Sequence, residues 1–426
     1  MKKSLSTLSA LFLASALFAL PSPITVKAGS KPVTNGWADM GKLSYPSRNV
    51  ILIDDATYPS AEKKLEAFTN AIASGSVTDS TLSHTPALII LSGTVDLSGG
   101  KVSDTDHSYF DQFDPSTHQR LHKDFMYDIG SNKAIIGIKN AKVAFGGLRI
   151  KAYEDGRKNV IIRNINFWDA HGSTEYDTSI PQYMTKKASA DQLVIEGIED
   201  KSTKSRYLYV PEDIWIDHCT FSDGLCSDLD RNFNHDGALD IKCGKNITIS
   251  FCEFTNHDKV TLSGSSDKFT DPSEREVTFH NNYYHGCVQR MPRTRGGYFH
   301  LYNNVFDDIG TKNNSGASLG PGIGAQFIVE NNFFGNHAGK ILKAQDSSEP
   351  SDSTFYKIYA SGNSPELTKS NSEGFEAHQV TKKPWNIPYK YSLQNAIKAH
   401  FDVMEQAGCG AEVSFQLKGS RKNQQF

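Results

Sequence analysis

Cysteine is scarce in this sequence, with six residues among 426. None of them forms a Cys-x-x-Cys pair, so the spacing typical of zinc sites is missing, and six are too few for a disulfide scaffold. In an oxidising compartment one or more pairs could still form a bridge, and the spacing selects none of them. The cysteines are Cys219, Cys226, Cys243, Cys252, Cys287 and Cys409.

Long apolar runs are absent after the N-terminus, so no membrane span and no membrane partner are expected. At the N-terminus, Lys2 and Lys3 precede an apolar stretch from Leu8 to Leu20. A proline-rich break follows, and Val26-Lys27-Ala28 offers a small-residue cleavage site. This pattern predicts a secretory signal peptide over residues 1–28 and a secreted, extracellular protein, exported directly or by way of a periplasm. We expect residues 29–426 to form one domain.

Basic charge is also in short supply. Removal of residues 1–28 takes away three lysines and no acid, which leaves 42 basic against 48 acidic residues, a net charge of −6. This balance argues against nonspecific nucleic-acid binding, so we expect no nucleic-acid partner. We expect the protein to act as a monomer.

A nucleophile motif of the Gly-x-Ser-x-Gly kind does not occur either. The segment Trp215-Ile216-Asp217-His218 suggests an Asp–His dyad. Adjacent residues on a strand point to opposite faces of a sheet, so Asp217 and His218 should not serve one site. We therefore interpret this segment as mainly structural.

The middle of the chain contains a repeat instead. Six eight-residue segments align, each opening with the alternating β-branched or aromatic residues that favour strands. Their starts lie 22 to 54 residues apart. The segments are VIIRNINF (160–167), IWIDHCTF (214–221), ITISFCEF (247–254), VTFHNNYY (277–284), FHLYNNVF (299–306) and FIVENNFF (327–334).

Two columns of this repeat predict ladders of stacked side chains. The last position is always aromatic, and the position two before it becomes asparagine from Asn282 onward, through Asn304 and Asn332. Stacked strands bring like residues about 4.8 Å apart, where rings stack and amides bond to one another. Repeats of this kind predict an all-β, right-handed parallel β-helix. An antiparallel sandwich is the alternative, but it gives the columns no reason to exist.

The flanking segments fit a β-helix with covered ends. Residues 60–75 and 392–407 show helical spacing and are expected to cap the solenoid, the second as a C-terminal segment that covers an edge with Leu393, Ile397, Phe401 and Met404. Further strands are predicted at Ala87–Gly93, Lys133–Ile138 and Val143–Ile150. The long insertions, residues 168–190, 222–235 and 307–322, are expected to be loops that build the binding face.

Carboxylates of three segments could converge on one cation. Asp236 ends a long polar loop, Asp240 follows four residues later, and Asp191 precedes a predicted strand on the preceding coil. Calcium takes several oxygen ligands in irregular geometry, and no histidine or cysteine partner suggests zinc. A solvated acidic loop remains the alternative.

Basic residues follow on the next coils. Lys259 lies in His-Asp-Lys-Val, and Arg290 and Arg295 lie in Gln-Arg-Met-Pro-Arg-Thr-Arg. Arginine offers a planar fork that binds carboxylates through two bonds. Because positions 290 and 295 differ by an odd number, the chain must bend near Pro292 to bring both to one face. A solvated basic surface is the alternative.

Together these segments resemble the pectate lyase family, polysaccharide lyase family one. The resemblance covers residues 85–335 in order and includes SNKAIIGI and GLRI near its start. It implies a right-handed parallel β-helix, in agreement with the repeat. The other matching stretches are WIDHCTF, DGALDIK, ITISFCEF, HDKV, LSGSSD, VTFHNNYY, QRMPRTRGG, FHLYNN and IVENNFF.

The resemblance implies a calcium-dependent lyase that cleaves polygalacturonate by β-elimination at alkaline pH. Arg290 corresponds to the base that takes the C5 proton, and Lys259, the alternative base, and Arg295 to the residues that bind the substrate carboxylate. The calcium ligands would be Asp191, Asp236 and Asp240. Some members have a further aspartate where this chain has Ser189, so the site is expected to hold fewer calcium ions or to be completed by substrate.

Other functions fit the same solenoid. A pectin lyase would lack the calcium aspartates, and all three are present here. A glycoside hydrolase would need paired carboxylates as acid and base. A noncatalytic polysaccharide-binding solenoid would keep the ladders, with no reason to keep the basic residues together.

Overall fold

The chain winds into three parallel sheets that run along one axis, as a computed structural model shows. The predicted parallel β-helix is thus confirmed. The structure describes residues 21–73, 83–110, 112, 114, 116, 121–154, 156–172, 190–225, 235–311, 316–344, 355–417 and 424–425.

The first sheet contains the repeat strands in the register expected from the sequence. Val160, Ile214 and Ile247 lie side by side on consecutive coils. Its strands are Val50–Ile53, Ala87–Asp96, Lys133–Ala144, Lys158–Arg163, Glu212–Asp217, Gly244–Ser250, Arg275–His280, Gly297–Tyr302, Ala325–Glu330 and Tyr356–Ser361.

The second sheet holds the aromatic ends of the repeats, and Lys133–Ala144 is long enough to run through both sheets. Its other strands are Asn166–Trp168, Thr220–Ser222, Glu253–Thr255, Tyr283–His285, Val305–Asp307 and Phe333–Phe334.

The third sheet closes each coil and carries the candidate site described below. Its strands are Met126–Asp128, Gly147–Lys151, Leu193–Glu196, Leu239–Ile241, Leu262–Ser263 and Arg293–Thr294. A three-stranded parallel sheet continues this face on the last coils. Its strands are Ala317–Leu319, Lys340–Lys343 and Ser372–Glu373.

Few other elements occur in the described residues. A small hairpin pairs Ile198–Glu199 with Tyr207–Tyr209. The α-helices are Ala61–Ile72, Phe375–His378 and Ala396–Gln406, the 3-10 helices are Trp37–Met40 and Pro272–Glu274, and the terminal strands are Ile24–Lys27, Val413–Gln416 and Gln424–Gln425.

The aromatic ladder is present as predicted. Each ring stacks on the next with centroids 4.8 or 4.9 Å apart and interplanar angles of at most 11°. This spacing equals the distance between strands of a sheet, so each coil continues the stack of the coil before it. The members are Phe167, Phe221, Phe254, Tyr284, Phe306 and Phe334.

The asparagine ladder is also confirmed and is longer than predicted. The side-chain amide of Asn282 donates to Oδ1 of Asn304 at 2.9 Å, Asn304 donates to Asn332 at 2.9 Å, and Asn332 donates to Asn363 at 3.1 Å. Cys219 and Cys252 occupy the same column on earlier coils as buried free thiols.

The first predicted cap is present as a helix over Ala61–Ile72. The Ser60 hydroxyl accepts a hydrogen bond from Lys63 N at its start, and Phe68 and Ile72 are buried in the main core. An apolar face of this kind lets a short helix cover the open end of a solenoid.

The C-terminal helix is present too, but the prediction of its buried face was wrong. Ala399 and Val403 are fully buried against the solenoid, at 0% exposure. The side chains expected to cover the edge lie on the outer face, where their exposure ranges from 42% to 65%. Small residues allow closer approach to the strands than the large residues of the other face. The exposed residues are Leu393, Ile397, Phe401 and Met404.

The strand predicted over Val143–Ile150 is in fact two strands. The strand Lys133–Ala144 ends at Ala144, Phe145 adopts a φ of 60°, and the strand Gly147–Lys151 of the third sheet begins at Gly147. A residue in the left-handed region turns the chain sharply. The continuous apolar pattern concealed this corner.

A second, smaller core covers the outer face of the first sheet. Ile24 and Val26 of the strand Ile24–Lys27 are buried there, and this strand pairs in parallel with Val413–Gln416. The predicted cleavage after Ala28 would remove this strand, and the position of cleavage stays a prediction. Among the described residues, no helix is long and apolar enough to cross a membrane.

Candidate functional site

The predicted site residues lie on successive coils at the third sheet. Gly237, Lys259 and Gln289 form parallel bridges to one another in that order. Asp236 precedes the first of these residues and Arg290 follows the last. The solenoid therefore brings together residues that lie more than fifty positions apart in the chain.

Two of the predicted calcium ligands converge on Gly237. Its backbone N–H donates to Asp191 Oδ1 at 2.6 Å. A Cβ at this position would lie 2.4 Å from Asp240 Oδ1 and 2.8 Å from Asp191 Oδ1. Only glycine leaves the room that these carboxylates occupy.

The third carboxylate is paired with a lysine. Asp236 Oδ1 accepts from Lys259 Nζ at 2.7 Å, and the three aspartates do not gather their oxygens around one point in this structure. The Asp236 side chain is 37% exposed, and with Asp191 and Asp240 it would form an all-oxygen set of the kind that calcium takes.

Crowding of negative charge is evident in the pKa values of this cluster. Burial, reinforced by Asp240 and Asp236, raises the pKa of Asp191 well above its usual range. Burial also raises the pKa of Asp240 to about 6, with a further contribution from Asp236 that Lys242 and Arg290 oppose. Buried carboxylates that repel one another form a site suited to a divalent cation.

Of the basic residues, Lys259 and Arg295 are both buried, at 7% and 9% exposure. Arg295 Nε donates to Asp267 Oδ1 at 2.5 Å, and its Nη1 donates to the Gly264 carbonyl at 3.2 Å. The side chain is thus held in one orientation by its neighbours.

Arg290 differs from Arg295 in its environment. It adopts a φ of 66°, in the left-handed region, and this turn allows Arg290 and Arg295 to depart from simple strand alternation. Its Nε is buried, and no described residue accepts a hydrogen bond from it. A buried donor without an acceptor is costly to the fold. Such a group is available to a ligand.

The prediction about Asp217 and His218 was wrong in its geometry. His218 adopts a φ of 48°, so the strand ends at Asp217 and the side chains meet, with Nδ1 and Oδ2 2.6 Å apart. The structural role is nonetheless supported, because Arg163 also binds the Asp217 carboxylate and stacks on Trp215.

Sequence reasoning missed a charged pocket beside Asp191. It has a volume of about 360 Å³, and Arg149, Glu196 and Lys242 contribute to its lining. Lys242 could have been found, because it lies two residues after Asp240 and therefore on the same side of the sheet. Arg149 comes from an earlier coil and had no such signal.

A buried histidine behind the site was also missed. His257 Nε2 donates to the Asp236 carbonyl oxygen at 2.9 Å, and its Nδ1 bonds the Asp223 carboxylate. Both His257 and Asp223 are about 1% exposed. This pair fixes the backbone from which Asp236 projects.

Much of the predicted binding loops lies outside the part of the chain that the structure describes. Most of residues 168–190 and 222–235, with Ser189 and Cys226 among them, and residues 312–315 lie outside the described residues. The site described above therefore consists of the residues that the third sheet itself holds.

The fold is a parallel β-helix whose third sheet carries acidic and basic side chains side by side. The pectate lyase family model matches residues 55–412, and the chain belongs to this family of lyases.

Individual relatives agree with this assignment. Pectate lyase D of Dickeya chrysanthemi is 32% identical over 391 residues, which are 87% of this chain and 86% of that protein. The pectate trisaccharide-lyase of Thermotoga sp. strain RQ2 is 42% identical over 181 residues, 41% of this chain and 40% of its own. The chain thus matches less than half the length of that relative. A thermostable pectate lyase structure is 26% identical, with a TM-score of 0.64, and the match covers 90% of this chain and 98% of that one.

Proposed function

We propose that this protein is a secreted, calcium-dependent pectate lyase that cleaves α-1,4-linked polygalacturonate by β-elimination and releases 4,5-unsaturated oligogalacturonides. The observation that carries the proposal is the placement of two basic residues next to predicted calcium ligands: Lys259 pairs with Asp236, and Arg290 lies close enough to Asp240 to oppose the rise of its pKa. A hydrolase would not need the basic set, and a binding module would not need Arg290 at a φ of 66° with a buried Nε that no described residue binds.

The residues fit a calcium ion. Asp191 and Asp240 both lie against Gly237, and the charge of Asp236 raises the pKa of each of them, so the three carboxylates are near neighbours. When bound, calcium would supply positive charge that stabilises the carbanion character developing beside the uronate carboxylate.

Lys259 and Arg295 supply the carboxylate-binding part of the site. In the protein alone Lys259 is paired with Asp236. If Asp236 turns toward the cation, the Lys259 ammonium becomes free to bind a substrate carboxylate. The two events are therefore coupled through one side chain.

Arg290 is assigned as the base. In the neutral form its guanidine takes the proton from C5, the electron pair forms the C4–C5 double bond, and the C4–O bond to the leaving chain breaks. The leaving oxygen then takes a proton from water. A guanidine can take a proton only when it is neutral, so we expect the rate to rise toward alkaline pH.

Product analysis in heavy-oxygen water tests the reaction class. Elimination gives products lighter than hydrolysis products by one water and without label from solvent, whereas hydrolysis incorporates that label. Labelled products would contradict the proposal, as would binding of polygalacturonate without any product. A parallel digestion of methyl-esterified pectin tests the preference for the unmethylated polymer.

Secretion and a monomeric state are both part of the proposal. Secretion rests on the N-terminal pattern of residues 1–28. Expression of the full chain, recovery of protein from the medium and N-terminal sequencing test it, and a sedimentation measurement gives the oligomeric state. Retention of the uncleaved chain in the cell would contradict it.

A further inference from the structure

A second cluster of metal-ligating side chains lies where the chain leaves the second sheet. Asp169 directly follows the strand Asn166–Trp168, and its side chain is 2% exposed. Its carboxylate is bracketed by two imidazoles, with His107 Nε2 2.8 Å from Oδ2 and His235 Nε2 2.8 Å from Oδ1. A buried carboxylate is thus flanked by two imidazole nitrogens.

A third imidazole completes the group. The His171 ring stacks on the His107 ring with centroids 4.0 Å apart and 12° between planes, and its Nδ1 lies 4.0 Å from Asp169 Oδ1. One donor atom from each of His107, Asp169 and His171 lies within 4.8 Å of the others. Among the described residues, no other group of three histidine, cysteine, aspartate or glutamate side chains brings its donor atoms this close together.

We propose that His107, Asp169 and His171 bind a first-row divalent metal ion of the zinc class, with His235 as an additional or supporting ligand. Imidazole and carboxylate donors suit zinc, whereas calcium prefers a set of oxygens. Zinc bonds of about 2.0–2.1 Å place tetrahedral donors about 3.3 Å apart. His107 Nε2 lies 2.8 Å from Asp169 Oδ2 and is closer than that, whereas His171 Nδ1 lies 4.0 Å from Oδ1 and is farther, so these side chains have to rearrange when the ion binds.

The position of this site indicates a structural role. His107 belongs to a segment before the third sheet's first strand, and it lies 62 residues from Asp169. An ion held by both would fasten that segment to the solenoid, next to the coil that presents Asp236. The ligands are separate from the proposed calcium ligands, so the inference does not depend on the lyase activity.

A network of hydrogen bonds without metal is the competing explanation. In that case His107 and His235 each donate a proton to the Asp169 carboxylate, and no ion replaces those protons. The two explanations differ in what happens when zinc or cobalt is added to protein stripped of metal, because a hydrogen-bonded network has no reason to take up the ion in a fixed ratio.

The test uses the full chain without a polyhistidine tag, stripped by chelator and then kept in excess calcium. Zinc titration against a chromophoric competitor is expected to show one equivalent bound, and cobalt to give a ligand-field spectrum of a site with nitrogen donors. His107→Ala and His107→Gln are each expected to weaken zinc binding at least about tenfold. The glutamine variant retains a hydrogen-bonding side chain and guards against a loss of folding in the alanine variant.

His122→Ala is the matched control. His122 stacks on Tyr109 in the same part of the chain and bonds Gln112 rather than Asp169, so its removal should leave zinc affinity unchanged. Absence of stoichiometric zinc binding, competition by calcium, or equal affinity in the His107 and His122 variants would overturn the proposal in favour of the hydrogen-bonded network.

Discussion

Lys259 and Asp236 form an ion pair with 2.7 Å between Nζ and Oδ1, in which the lysine side chain is 9% exposed and the aspartate 37%. The same aspartate is the predicted ligand nearest to solvent, so cation binding and release of Lys259 use one side chain. Binding of calcium and affinity for the substrate carboxylate should therefore rise and fall together.

Asp236→Asn tests this coupling. An amide is a weaker calcium ligand and does not hold Lys259 by charge, so apparent calcium affinity should fall by about 10- to 100-fold. Isothermal titration with calcium measures it. Asp402→Asn, in a surface pair with Lys398, is the control and should leave the affinity unchanged; equal effects of the two changes would contradict the assignment.

Gly237→Ala tests the packing of the cation site without removing a ligand. Its Cβ would lie 2.4 Å from Asp240 Oδ1 and 2.8 Å from Asp191 Oδ1, so these carboxylates must separate. We expect at least about a tenfold loss of calcium affinity with an unchanged circular dichroism spectrum. Retention of full affinity would show that the two carboxylates do not act together.

Asn304→Ala tests the ladder as a source of stability. The Asn304 side chain donates to Phe279 O and to Asn332 Oδ1, and it accepts from Asn282. Its removal leaves buried polar partners unpaired, which should cost about 2–4 kcal/mol. A shift of the urea midpoint measures the loss. The exposed Asn336→Ala is the comparison, and a shift no larger than its own would refute the ladder's contribution.

Acid should destabilise the protein through a buried cluster on the first sheet. Burial by itself would raise the pKa of Glu330. Hydrogen bonds from His300, Lys383 and Tyr391 outweigh burial and lower this pKa from 4.5 to about 2. Burial lowers the pKa of His300 from 6.5 to about 4. In both cases the unfolded chain binds protons that the folded chain does not. The contribution of these two groups to stability is therefore complete above pH 6.5 and falls as pH drops toward 2.

Thermal unfolding between pH 7 and pH 3 measures this dependence. Glu330→Gln should lower the midpoint at pH 7 and reduce the steepness of its fall in acid, because the carboxylate that gains protons on unfolding is gone. An unchanged slope would mean that other groups account for the acid sensitivity.

The sequence predicted the fold where two signals occurred together. One signal was the strand-like pattern of each segment, and the other was the aromatic residue at its end. The rings of Phe254 and Tyr284 stack on each other, which fixes the register between their coils. The ladder member Asn363 was missed because the position two residues later is Pro365 rather than an aromatic residue. Without the aromatic residue two positions later, a single asparagine in the ladder cannot be distinguished from an asparagine in a turn.

The sequence pattern could not predict the local backbone turns or which face of the C-terminal helix is buried. His218 has a φ of 48° and Phe145 a φ of 60°, in residues that rarely adopt such values, so strand alternation gave the wrong geometry. The C-terminal helix packs through Ala399 and Val403 because close approach to the strands outweighs the burial of larger side chains.

The site was predicted as a set of residues but not as a set of contacts. Spacing and resemblance identified Asp236 and Lys259, yet their mutual ion pair depends on which coils become neighbours. His257, which supports Asp236 from behind, had no spacing signal, because its partner Asp223 lies on another coil.

The most direct test of the account is ultraviolet absorbance of polygalacturonate incubated with the protein and calcium, compared among wild type, Arg290→Ala and Arg206→Ala. Elimination creates a double bond conjugated to the carboxylate, which absorbs, whereas hydrolysis creates none. Arg206 pairs with Asp200 and is 63% exposed, so its variant controls for loss of a positive charge.

We predict a rise in absorbance that excess chelator abolishes, that Arg206→Ala preserves, and that Arg290→Ala slows by about 10²- to 10⁴-fold, the contribution of a positioned base. No rise at alkaline pH with calcium present, or an equal rate for Arg290→Ala, would contradict the account.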